Sequence, residues 1–140
     1  MIGLKKEKAR DALVQGSVAI AAGVIIFTAL FLPWLSTEYP GISGLIHPKD
    51  QAALVIPMTL ILITVLNIFG GAIHILGYTV GIQLATVTSA IAFFISVMVI
   101  VITVASADNF EGSTLDLLIG PWISAAGSIF GAISSKLERN

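Results

Sequence analysis

From Gln51 to Ala107 the chain runs for 57 residues without a formal charge. As one helix that run would be about 85 Å long, roughly twice the full thickness of a bilayer. It must therefore fold back on itself. The reversal is expected at Gly77-Tyr78-Thr79-Val80-Gly81, where two glycines flank an aromatic suited to the headgroup level. This places spans over 51–76 and 81–105. Pro57 either kinks the former or marks its true start, because it brings no amide to the helix.

The same logic finds a span on either side. Residues 12–37 carry no formal charge and end in Leu32-Pro33-Trp34; a span over 12–32 should stop there, since proline drives the residue before it out of helical geometry. Lys5, Lys6, Lys8 and Arg10 ahead of it resemble a signal-peptide n-region. The apolar run is longer than the ~7–15 residues of such a peptide, and Ser36-Thr37-Glu38 is a poor cleavage site, so the segment is kept as a mature span. The last span, over 117–135, opens at Gly120-Pro121-Trp122, with proline in a first turn that tolerates it. With 56% hydrophobic and 11% charged residues, against roughly 25% charged in a soluble domain, the expectation is one all-α membrane domain over 1–140. It is a four-transmembrane-helix bundle with short loops.

Small residues organise each span. Gly120, Ser124, Gly127, Gly131 and Ser134 recur at steps of four and three, which holds them on one helix face. Ala12, Gly16, Ala19 and Gly23 repeat the pattern in the first span, and Ala85, Ser89, Ala92, Ser96 and Thr103 in the third. In lipid, where no hydrophobic drive joins helices, such seams permit the close approach that does. A seam on every helix is more contact surface than a lone bundle of this size obviously needs. That points to self-association or a larger complex.

The second span is the most polar inside. Thr64, Asn67, Gly71 and His74 share a face, with Gly70 beside them. Asn67 lies near mid-span and should find a hydroxyl or carbonyl on a neighbour; Ser89, Ser96 and Thr103 are the expected groups opposite. His74, near the end of the span, is the only titratable group within any span. It reads as an interfacial histidine or as part of a polar pocket.

The loops offer little chemistry. Residues 35–50 contain three turn signals and His47, which has no second His or Cys nearby for a metal. Asp108, Glu111 and Asp116 suggest calcium, but their spacing does not match an EF-hand. There is no cysteine, which removes disulfides and thiolate chemistry. No metal, cofactor or catalytic residue is expected, and no basic patch outside the termini favours nucleic acid.

Lys5, Lys6, Lys8, Arg10, Lys136 and Arg139 lie in the two termini and Lys49 alone in the connecting loops, so both termini are expected in the cytoplasm. The opposite face, with Glu38, Asp50, Asp108, Glu111 and Asp116, is acidic. Leu32-Pro33-Trp34 closing the first span and Gly120-Pro121-Trp122 opening the last resemble small prokaryotic four-span membrane proteins of uncharacterised function. The resemblance implies the plasma membrane of a prokaryote. The layout is also similar to claudin-type proteins, without their cysteine pair or Gly-Leu-Trp motif.

Three functions compete. A non-catalytic structural or accessory subunit, packing against itself or a larger membrane complex, fits the seams and the short loops. A small uncharged-pore channel or transporter fits the polar face of the second span, although coupled transporters place charged groups inside the membrane. An intramembrane enzyme lacks parts: no His cluster, paired carboxylates or phosphate loop.

Overall fold

The computed structural model describes residues 2–36, 39–40, 51–105 and 119–137. Among these residues the body of the fold is all-helical, with four α-helices: α1 (Ile2–Ala29), α2 (Gln51–Ile75), α3 (Thr79–Ala105) and α4 (Ile119–Ile133). A 3-10 turn, Ser134–Lys136, continues α4. Two short strands, β1 (Pro33–Ser36) and β2 (Tyr39–Pro40), pair antiparallel after α1, with Pro33 opposite Pro40 and Ser36 opposite Tyr39. Within 35–50, expected as plain loop, Leu35, Ser36, Tyr39 and Pro40 belong to these paired strands.

Three helices are long and apolar enough to cross a membrane, over Lys5–Ala29, Val55–Ile75 and Thr79–Ile102. In the described residues α4 has 15 residues, about 22 Å of rise. Each helix lies against its sequence neighbours, and α4 returns to α1, so the four form a ring in chain order. Contacts between Gly16 and Gly71, Gly70 and Gly81, Ser96 and Ser124, and Gln15 and Ser135 show that each adjacent pair runs antiparallel. We call the end where α1 begins and α4 finishes the base, and the opposite end the crown.

The boundaries differ from the charge-based reading mainly in α1, which starts ten residues before 12 and stops three before 32. Ile2–Asp11 is rich in Leu, Lys, Glu, Ala and Arg, all competent helix formers; its charges mark where lipid ends and not where the helix does. At the other end, Leu30, Phe31 and Leu32 donate to the carbonyls three residues back, at 3.1 Å each. The last turns tighten ahead of Pro33 because Leu32 cannot remain helical beside it. The reversal between α2 and α3 is a tight turn at Leu76–Tyr78, where Gly77 has φ +105°, a left-handed geometry that glycine alone adopts without strain. Pro57 lies inside α2 without ending it. His47, Asp108, Glu111 and Asp116 fall outside the described residues.

Inside the ring, buried side chains form layers. An apolar layer of Ile26, Leu30, Leu60, Ile63, Ala92 and Val99 fills the crown half. A smaller one of Ala19, Ile82 and Ala85 lies toward the base. Between and below them lie polar layers. Lipid has no tendency to drive apolar groups inward, which explains why bulky Phe27, Phe31, Leu62, Phe69, Phe94 and Phe130 remain exposed while Ser89, Ser96, Ser124 and Ser128 are fully enclosed.

Candidate functional site

The candidate site is this polar interior, and the glycine contacts determine how close its walls come. A methyl group on Gly16 would lie 2.6 Å from the Gly71 carbonyl, and one on Gly71 would lie 2.5 Å from the Gly16 carbonyl. Gly70 and Gly81 oppose each other in the same way between α2 and α3. On α4, a methyl on Gly127 would meet Ile25 Cγ2 at 2.7 Å, and one on Gly131 would run into Ser89 Oγ. Every neighbouring pair except α3 and α4 therefore has a glycine packed on backbone or on a branched side chain, and the α3–α4 pair has Gly131 against a hydroxyl. Gly16, Gly23, Ser89, Ser96, Gly120, Ser124, Gly127, Gly131 and Ser134 are all buried.

This placement corrects the idea of surplus contact surface. The seams face the ring interior, because four backbones closing around one axis need small residues on each inner face. No described helix keeps its seam for an outside partner.

Asn67 forms the central layer and is fully buried. Its Oδ1 accepts from Thr88 Oγ1 at 2.9 Å and from Ser89 Oγ at 3.1 Å, both on α3. Ser89 also abuts Gly131, so one amide links α2 through α3 to α4. Its Nδ2 has no partner, and neither does Thr64 Oγ1 one turn earlier on the same helix. Ser96, expected opposite α2, turns instead to α4: its hydroxyl donates to the Ala92 carbonyl of its own helix at 2.8 Å and pairs with Ser124 Oγ at 2.9 Å. Ser128 donates back to the Ser124 carbonyl. The α3 stripe is thus divided between two neighbours: Ser89 meets α2 and α4, and Ser96 meets α4 alone. The side chain of Thr103 is outside the described set.

The basal layer joins His74 to Gln15, and both side chains are buried within the bundle. Gln15 Nε2 donates to the carbonyls of Ser135, at 3.3 Å, and Leu137, at 3.2 Å. That orients the amide, since its oxygen turned toward two carbonyls would be repelled. Oε1 consequently faces His74 Nε2 at 2.8 Å, and because it can only accept, Nε2 carries a proton. Nδ1 lies 3.3 Å from the carbonyl of Tyr78. One pair of side chains ties α1, α2, the α2–α3 turn and the segment after α4.

Gln15, Thr88 and Ser128 were not singled out from sequence. Gln15 lies in the first turn of a charge-free run, where a polar residue reads as interfacial; Thr88 is one step off the stripe through Ala85 and Ser89. Only the i, i+1 pairing of Thr88 with Ser89 hinted at a double donor. Among the described residues no group of three His, Cys, Asp or Glu is gathered as metal ligands require. No protein-family model, curated protein or solved structure matches this chain.

Proposed function

We propose that the chain is a four-span integral membrane protein without catalytic chemistry, a structural or accessory subunit of a prokaryotic plasma membrane with both termini in the cytoplasm. The observation that carries this reading is the commitment of interior groups to one another: the Asn67 amide to Thr88 and Ser89, Ser96 to Ser124, and His74 to Gln15. Such bonds hold helices in register and leave a packed wall. The outer faces carry Phe27, Phe31, Leu62, Phe69, Phe94 and Phe130. Association with a second copy or a larger complex therefore uses bulky apolar faces or loops, and not the glycine seams.

A second reading, a small uncharged-pore channel or transporter, draws on the unpartnered Thr64 Oγ1 and Asn67 Nδ2. A path through one copy has to cross the layer of Ile26, Leu30, Leu60, Ile63 and Val99. The two readings separate at Asn67. As an interhelical bond, Asn67→Leu should cost about 1–2 kcal/mol of stability and leave liposome permeability unchanged. Protein reconstituted alone that conducts an ion or small solute, in a way that Asn67→Leu or His74→Ala removes, would establish the channel and overturn the subunit.

A further inference from the structure

We infer that Thr64 and Asn67 form a two-point binding site for a single water molecule at the centre of the bundle. Thr28, Thr59 and Thr86 each donate to the carbonyl four residues earlier in their own helix. That bond is the usual way for a threonine hydroxyl to be satisfied in a helix. Thr64 forgoes it: its Oγ1, in a residue only 4% exposed, has no partner. Three residues on, the Asn67 amide uses one end for Thr88 and Ser89 and leaves the other without a partner. Positions i and i+3 share a helix face with Cβ atoms about 5–6 Å apart. The two groups do not bond each other, and each is left without a partner on the same face of α2.

The chemistry of the pair selects the occupant. The free end of Asn67 offers N–H donors and Thr64 offers a hydroxyl that both donates and accepts. A metal cation would meet amide hydrogens and too few oxygens; an anion would find no positive charge among the described neighbours. A water accepts from Asn67 Nδ2–H and donates to Thr64 Oγ1. It serves as well if the amide is turned over, since it can donate to Oδ1 instead. Buried waters characteristically join polar groups that the protein leaves unpaired. On α1, Gly23 packs against this stretch of α2: a methyl there would lie 3.1 Å from the Thr64 carbonyl and 3.2 Å from Asn67 Cβ.

The site goes beyond the subunit reading and does not depend on it. In lipid nanodiscs, the Asn67 side-chain amide protons of the wild-type protein should show a magnetisation-transfer cross-peak to water with the sign of a bound molecule. Thr64→Val should lose that peak while the Thr88 and Ser89 resonances stay in place, and Thr64→Ser should keep it. Absence of a bound-water peak in the wild type, or an unchanged peak in Thr64→Val, overturns the site. Should Thr64→Val not fold, the wild type and Thr64→Ser decide, and a missing peak in both is the overturning result.

Discussion

At the scale of single residues, the interior relies on amides where many proteins would place ions. Asn67 accepts from two hydroxyls and Gln15 both accepts and donates, neither with a formal charge, so neither carries the several-kcal/mol penalty of an ion taken out of water. Gln15 also dictates the chemistry of its neighbour. With its Nε2 held by Ser135 and Leu137, the Nε2-protonated form of His74 is the one that fits. Nitrogen-15 spectra of His74 should show Nε2 protonated, and a spectrum of the Nδ1–H tautomer alone would contradict the basal layer. Gln15→Ala should speed amide hydrogen exchange at Leu137, which loses its only long-range side-chain tie described here. Asn67 was legible in the sequence because an amide at mid-span must be bonded to something. Gln15 was not: its partners are 120 and 122 positions away, main-chain carbonyls that no residue pattern advertises.

Among elements, glycine contacts determine which helices can move apart cheaply. At Gly127 and Gly131 the space a side chain would need is occupied by Ile25 and Ser89. Gly127→Ile and Gly131→Ile should lower the melting temperature in detergent, with a cost at or above the ~1–3 kcal/mol of ordinary overpacking because main chains must separate. Ile129→Val and Ile133→Val, on the outer face, should change it far less. If Gly131→Ile melts with the wild type, α4 does not pack as described. The long helices were legible as charge-free runs because lipid excludes ions whatever their partners. The start of α1 was not, since helix propensity and membrane solubility are separate properties that part company at Ile2–Asp11. The inward direction of the seams was not legible either. Spacing assigns small residues to a face but does not say what that face meets.

For the whole molecule, orientation is the first quantity to test. Lys5, Lys6, Lys8, Arg10 and Lys136 are exposed at the base, and a basic end is retained on the cytoplasmic side. In a chain without cysteine, single cysteines at Ser43 or Ser113 should react with an impermeant thiol reagent on intact cells, and one at Asn140 should not. The reverse pattern would invert the molecule.

The bond from Asn67 to Thr88 and Ser89 spans 21 and 22 positions, and this separation has a consequence for biogenesis. When α2 has left the ribosome its amide has no hydroxyl to receive, and at about 5–20 residues per second the donors follow only after a second or more. Through that interval α2 is a poor guest for lipid on its own. The tight turn at Gly77 then lets α3 fold directly back onto it, so we expect the two to partition into the membrane together as a hairpin. Chains that lack α1 and end at Ile75 should be extracted by alkaline carbonate, whereas the same chains carried through Ala105 should resist; equal resistance would mean that α2 enters alone. The insertion machinery, in that case, must shelter one half of a hydrogen bond until translation delivers the other.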